Sequence, residues 1–364
     1  MFDIETLEQD LLVFNRMNDA RLEANLEAGD AFGLTDVVLN LNEPKRNQLE
    51  AWVDNYGFET TGREQLGILG RRYELFAEGD RSLLYTLVSE GARSVAAYSA
   101  PLGPSRFRLG GNASYTESEI IEGPFENTDT LSTAASGTIE LSYLAYSDIS
   151  RYLTLIASTS VTDSTTETVG QDVVDTSLYR HRGGISYTEI GTNWQTSLQL
   201  TGSYANNNNH IAPVLSDEYH VLNASLVGLW RYAPNYYFLL QSEGQYTDDI
   251  ALPDTLAFNV GGASTLRGYE PGTASGDGAW YTTGEWHCDG LRLSQHTLDA
   301  FVFYDHGGVD QFTRHQTLSA AGIGFSMYGA SGVSLDMRYG YSLTTPENNQ
   351  GRDHLYIRLS YQFI

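Results

Sequence analysis

From about residue 48 to its C-terminus the chain alternates apolar and polar residues with a period of two. Trp194, Thr196, Leu198, Leu200, Gly202 and Tyr204 fall on one face of a strand, and Asn193, Gln195, Ser197, Gln199, Thr201 and Ser203 on the other. Leu153, Leu155, Ala157 and Val161 likewise oppose Tyr152, Thr154, Ser158 and Ser160, and Phe238, Leu240 and Tyr246 oppose Gln241, Glu243 and Gln245. Successive strand side chains point to opposite faces, so each segment has one apolar face and one wet face. The pattern predicts sixteen strands, starting near residues 48, 65, 81, 93, 105, 136, 151, 178, 193, 219, 235, 277, 296, 317, 331 and 353. Ser147-Asp148 and Ala233-Pro234-Asn235 mark tight turns, and polar stretches at about 117–135, 162–176 and 205–217 read as long loops. An even strand count with short turns at one end and long polar loops at the other predicts an antiparallel transmembrane β-barrel. Hydrocarbon offers no partners to backbone N–H and C=O groups, so the sheet must close. The last segment, with Leu355, Ile357, Leu359, Tyr361 and Phe363 on its apolar face, is expected to pair with the first.

Residues 1–45 follow a different period. Ile4, Leu7, Leu11 and Phe14 lie on one helical stripe with Asp3 as N-cap, and strand-like runs follow at Arg21–Ala28 and Thr35–Leu41. One helix and one hairpin bury too little surface to stand alone. This segment reads as the back part of a small α/β domain, with the barrel over 46–364. Met1 leads directly into the helix without a basic or apolar leader pattern; if the protein is exported, the expectation is a mature fragment or a truncated chain.

Composition narrows the choice. The 364 residues carry a net charge of -25, with 24 Tyr, 36 Gly and 18% charged residues. No run of eighteen apolar residues exists, so no transmembrane helix is expected. A mean hydropathy of -0.30 remains compatible with membrane strands, whose lumen face is polar. On composition alone a soluble all-β sandwich or propeller is the alternative. The acidic balance argues against nucleic acid, which needs clustered Lys and Arg. The single cysteine, Cys288, excludes an internal disulfide and a cysteine-based zinc site. His287-Cys288-Asp289 are consecutive on a strand, so neighbours face opposite sides and cannot share one metal. No catalytic Ser/His/Asp set or paired carboxylates stand out, and no cofactor, metal or enzymatic activity is expected. Asn206 to Asn209, in an acidic loop, read as solvated.

Candidate chemistry concentrates in a loop of about thirty residues, 247–277. A loop that long in a compact β protein has a function or is disordered. It holds Gly261-Gly262-Ala263-Ser264-Thr265-Leu266-Arg267-Gly268-Tyr269. Parity on the next strand turns Tyr281, Thr283, Glu285 and His287 inward, and on the one after it Asp299, Phe301, Phe303 and Asp305. An arginine on a loop folded into the lumen could then fork onto Asp305 or Glu285. The alternative is an Arg267 on an exposed surface loop, with Asp305 capping a turn before Gly307-Gly308 and His306 serving turn chemistry.

Leu266-Arg267-Gly268-Tyr269 resembles the (V/L)RG(F/Y) motif on the sixth extracellular loop of the POTRA-plus-barrel outer-membrane assembly factors. Phe303-Tyr304-Asp305-His306-Gly307 is similar to their F-x-D-x-G strand motif. Ser275-Gly276-Asp277-Gly278 through Glu285 is closer to one branch, the haemolysin secretion/activation transporters of two-partner secretion. Leu7-Glu8-Gln9-Asp10 through Asn15 with Glu43-Pro44 resembles the end of the barrel-proximal POTRA domain. Asp54-Asn55-Tyr56-Gly57, Thr61-Gly62, Gly79-Asp80 and Tyr98-Ser99-Ala100-Pro101-Leu102 resemble the opening barrel strands.

The resemblance implies a sixteen-stranded outer-membrane barrel with a partial N-terminal POTRA remnant in the periplasm of a Gram-negative bacterium. It implies a lumen-folded loop pairing Arg267 with Asp305, with Gly268, Tyr269, Glu285, Phe303 and Gly307 completing the site. The expected partners are a secreted β-rich exoprotein bound through the POTRA domain, which crosses without ATP, the outer-membrane lipid, and the outer-membrane assembly machinery for insertion. Two departures stand out: the family's signal peptide, plug helix, first POTRA domain and start of the second have no counterpart here, and the chain ends Phe363-Ile364 where many such barrels end on the aromatic. Other function classes weighed are an outer-membrane assembly factor and a passive porin.

Overall fold

A computed structural model describes residues 3–30, 34–103, 105–123, 126–212, 217–293, 296–311, 314–329, 331–345 and 350–363. Helix α1 (Ile4–Met17) starts where the Asp3 carboxylate accepts from the Glu5 N–H (3.1 Å) and the Thr6 hydroxyl (2.7 Å), satisfying donors that have no partner inside the helix. Strands β1 (Arg21–Ala28) and β2 (Thr35–Asn42) form an antiparallel hairpin beside it. The helix end rests on one rim of the barrel. Arg16 lies over the Tyr152 ring, 4.3 Å from its centroid, and Arg108 Nη1 donates to the Met17 carbonyl (2.6 Å).

Sixteen strands then close a barrel. They are β3 (Asn47–Asp54), β4 (Gln65–Tyr73), β5 (Arg81–Val88), β6 (Ala92–Pro101), β7 (Phe107–Glu119), β8 (Leu131–Ser147), β9 (Arg151–Thr168) and β10 (Gln171–Ile190). They continue as β11 (Trp194–Asn209), β12 (Asp217–Ala233), β13 (Tyr236–Tyr246), β16 (Gly278–Leu293), β17 (His296–Gln311), β18 (Arg314–Gly329), β19 (Val333–Ser342) and β20 (Asp353–Gln362). Two short strands inside the long loop, β14 (Phe258–Val260) and β15 (Ala274–Gly276), form a hairpin of their own. Barrel neighbours are antiparallel throughout, and β20 returns to β3 over five residue pairs, Arg358↔Asp54 to Gln362↔Glu50. At this seam Arg358 Nη2 lies 2.7 Å from the fully buried Asp54 carboxylate.

The two-residue period resolves the two faces. On β17, Val302 and Tyr304 are 52% and 45% exposed, whereas Phe301, Phe303 and Asp305 are 6%, 3% and 0% exposed. Apolar side chains such as Val302 and Tyr304 therefore face outward, as a lipid-facing wall requires, while the inner face carries polar groups such as Asp305 together with the buried rings of Phe301 and Phe303.

Strand existence and phase agree with the alternation; two starts differ by more than three residues. Strands β8 and β10 begin at Leu131 and Gln171 instead of near 136 and 178, and the stretch 162–176 is no loop. Strand β9 runs to Thr168 and turns into β10 through Val169-Gly170, both at positive φ (54° and 72°), as a two-residue hairpin turn matched to strand twist requires. Its polar residues sustain the strand because Ser and Thr bond across it: Thr133 with Thr165 at 2.6 Å, Ser132 with Thr166 at 3.0 Å. Asn206 to Asn209 likewise belong to β11. The stretch 117–135 shrinks to a connection from 120 to 130.

Candidate functional site

The loop between β13 and β16 turns back into the barrel, and its first anchors are apolar. Leu252 and Leu256 pack against Leu178, Ala205, Tyr219 and Val221 of the inner wall. Val260, Leu266, Tyr269 and Ala274 pack against Ala279, Val309, Leu318 and Ala320. Each fully buried side chain of this size stabilises the seated loop by about 1.5–3 kcal/mol. Polar stitches fix its path. Asp277 accepts from the Ala251 and Leu252 N–H groups (3.0 and 2.8 Å), Gln245 donates to the Leu256 carbonyl (2.8 Å), and Arg338 donates to the Ala263 carbonyl (3.0 Å). At the rim away from α1, Arg63 bridges Glu59 and Glu270, each at 2.8 Å.

The tip brings Arg267 to an interior position with 2% exposure. Asp305 of β17 receives three of its bonds, from the backbone N–H and Nε to Oδ2 (2.9 and 3.0 Å) and from Nη2 to Oδ1 (2.6 Å). Nη2 also donates to Thr283 Oγ1 (2.7 Å), and Nη1 donates to Glu285. The guanidinium carbon lies over the Phe303 ring, 3.6 Å from its centroid. Asp305 thus makes the forked contact that only arginine supports, and Phe303 adds the face of an aromatic ring to the cation.

The tip also needs a bare wall. A Cβ on Gly340 would come within 2.3 Å of the Arg267 carbonyl oxygen, and one on Gly268 within 2.7 Å of both Ala320 Cβ and Ser342 N. Loop backbone therefore lies directly on strand backbone. Tyr269 is fully buried and donates from its hydroxyl toward the Ser319 (2.8 Å) and Thr344 (3.0 Å) carbonyls, while Tyr356 donates to the Tyr269 carbonyl (2.6 Å). Gly307 lies on the inner wall beside Leu266.

All seven residues singled out from the sequence, Arg267, Gly268, Tyr269, Glu285, Phe303, Asp305 and Gly307, meet in this one region. The surface-loop alternative is overturned. Strand β17 continues to Gln311, so Asp305 caps no turn, and His306 sits in mid-strand with its ring at the Leu318 carbonyl (3.1 Å) and Ser319 hydroxyl (2.8 Å). Thr283, Gly340, Tyr356 and Arg338 were not assigned roles from the sequence. Thr283 shares the inward parity of Glu285, and Tyr356 lies on the face of its strand opposite Leu355 and Ile357, which were their only signals; Gly340 and Arg338 carry none. Among the described residues no group of His, Cys, Asp and Glu is arranged to hold a metal ion.

The profile of the family described as "Haemolysin secretion/activation protein ShlB/FhaC/HecB" matches residues 33–329. Among curated proteins the chain is similar to the heme/hemopexin transporter protein HuxB of Haemophilus influenzae (strain 86-028NP), with 23% identity over 371 residues, 92% of this chain and 63% of HuxB. The chain therefore spans 63% of that relative's length. Among solved structures it is similar to CdiB from Escherichia coli, with a TM-score of 0.83, 17% identity, and coverage of 100% of this chain and 71% of CdiB. CdiB from Acinetobacter baumannii gives 0.78, 16%, 100% and 69%. BamA from Haemophilus ducreyi lacking POTRA domains 1–3 gives 0.61, 13%, 99% and 77%. At these identities the structural likeness is one of fold.

Proposed function

Because the chain belongs to the haemolysin secretion/activation protein ShlB/FhaC/HecB family, we propose that it is an outer-membrane transporter of two-partner secretion, carrying a large β-rich exoprotein out of a Gram-negative cell. The observation that supports this most directly is the loop held inside the barrel by Arg267 on Asp305 and Glu285. A passive porin has no need of a clamp that obstructs its own lumen, whereas a protein conduit must be shut between substrates and clear a wide path during passage.

In this reading residues 1–45 are the C-terminal part of a periplasmic POTRA domain that receives the exoprotein. Residues 46–364 are the conduit, and the loop 247–277 is its gate. The lumen's polar strand faces give an extended polypeptide exchangeable hydrogen-bond partners without a folded binding site. Docking of α1 against the rim through Arg16 and Arg108 offers a route by which cargo capture is felt at the barrel.

A second reading, an outer-membrane assembly factor, is favoured by the five-pair seam between β20 and β3. Co-expression of the transporter with an exoprotein encoded beside it separates the two. Arg267→Ala is expected to lower the amount of exoprotein reaching the medium while the barrel still assembles. Undiminished secretion counts against the transporter reading, and loss of other outer-membrane proteins on depletion supports the assembly factor.

A further inference from the structure

The clamp does not end at Glu285. The other oxygen of that carboxylate, Oε2, lies 2.8 Å from His287 Nε2. On the opposite side of the ring, His287 Nδ1 lies 3.1 and 3.0 Å from the two carboxylate oxygens of Asp299. Asp299 in turn accepts from the Tyr237 hydroxyl (2.7 Å). The imidazole is 7% exposed and is held flat between two rings, Tyr237 at 4.3 Å and 11° and Phe301 at 4.6 Å and 23°.

A neutral imidazole has one N–H donor and one lone pair; only the doubly protonated ring donates from both nitrogens. Here both nitrogens face carboxylates, which accept and do not donate when ionised. A neutral ring would therefore press a lone pair against a negative oxygen in a water-poor site, where an unmatched polar group is costly. Charge points the same way. Among the described residues Arg267 is the arginine paired with both Asp305 and Glu285, and Asp299 stands just beyond. Among the described residues the other groups around the ring supply no nearer cation. Tyr237 on β13 is a donor, and Arg231, 5.2 Å from the Tyr237 ring centroid, is paired with Asp289 at 2.9 Å.

We infer that His287 carries both ring protons and is the positioning residue of the clamp, holding Glu285 in place for Arg267 and tying the seated loop to Asp299 and Tyr237 on the barrel wall. This rests on the gate reading only for its consequence: loss of the His287 bonds to Glu285 and Asp299 weakens the seat of the loop. It does not depend on that reading for the geometry of the ring.

The test uses the full chain in lipid nanodiscs and planar bilayers. At neutral pH, nitrogen NMR of ring-labelled protein is expected to show two protonated nitrogens for His287; a single protonated nitrogen overturns the inference with no mutation needed. In His287→Phe, which keeps the ring stack and removes both bonds, and in His287→Gln, exchange of the Arg267 Nη1 protons, which donate to Glu285, is expected to speed up by about tenfold or more, the factor of one hydrogen bond to a charged group. Unchanged exchange in both folded variants also overturns it. Conductance then separates the two proposals. If Arg267→Ala leaves pore opening unchanged, the gate reading fails while the NMR and exchange results still decide the role of His287. If Arg267→Ala opens the pore and neither His287 variant alters opening, the positioning role fails and the gate stands.

Discussion

Replacing Arg267 by alanine isolates the clamp from the rest of the loop. The substitution removes four side-chain hydrogen bonds, two to Asp305 and one each to Thr283 and Glu285, together with the contact over Phe303. It spares the backbone N–H bond to Asp305 (2.9 Å) and both apolar anchors. Asp305, with no exposed surface, and the largely buried Glu285 are left without their shared cation. Breaking a buried pair by removing one partner costs about 3–5 kcal/mol, and water entering a polar lumen takes the lower end, about 3 kcal/mol. At 1.4 kcal/mol per tenfold, the unseated loop gains about a hundredfold in population. The barrel itself persists, because none of its strand pairing passes through Arg267. Two assays read this: hydrogen exchange over the loop's 261–273 segment, expected to accelerate by about that factor, and single-channel recording, expected to show frequent large openings. Asp305→Asn is expected to behave similarly, and the double variant to be no worse than either single one, since the residues act on one interaction. Loop protection in Arg267→Ala equal to that of the wild type, or additive losses in the double variant, would refute the reasoning.

Three further outcomes are expected. Gly340→Ala forces a Cβ to within 2.3 Å of the Arg267 carbonyl; the loop must lift, so exchange at 266–269 accelerates while the heat-dependent gel shift of the folded barrel is retained. Arg63→Ala breaks ion pairs to Glu59 and Glu270 in which the Arg63 side chain is 44% exposed, so it changes loop protection by less than about 1 kcal/mol, and a large effect would show that the rim and not the lumen holds the loop. Asp80, in the connection between β4 and β5, is fully buried and accepts from the Leu75, Phe76 and Ala77 N–H groups and the Tyr98 hydroxyl. Burial pushes its carboxyl up, but these four donors outweigh it and hold the group below the usual carboxylate range. A lowered folded-state value means the stabilisation is present above the unfolded value near 4 and is lost as pH falls through the folded one. The turn, followed by proteolysis or exchange, is therefore expected to loosen only below about pH 4, and Asp80→Asn to loosen it already at neutral pH.

The alternation of residues settled a great deal by itself. Strand side chains alternate with a period that leaves no freedom in phase, so Leu198 against Gln199, or Tyr304 against Asp305, already specified which face met lipid. Sixteen strands and closure followed because unpaired backbone has no place in hydrocarbon. Inward parity put Glu285 and Asp305 on one wall, and a glycine-rich tip with one arginine offered their partner. Ends of strands were less legible. Ser, Thr, Asn and Asp beyond the membrane serve loops and watery hairpins equally well, and only cross-strand pairs such as Thr133 with Thr165 extended β8 to β10 through the stretch read as a loop. What tertiary structure alone decided is everything that depends on how neighbouring strands register. His287 looked like one member of an incompatible metal triplet, and its meaning came from Asp299 and Tyr237 on adjoining strands. Gly340, far along the chain from Arg267, left no trace of its role because close approach of two backbones is a property of the folded wall and not of either segment.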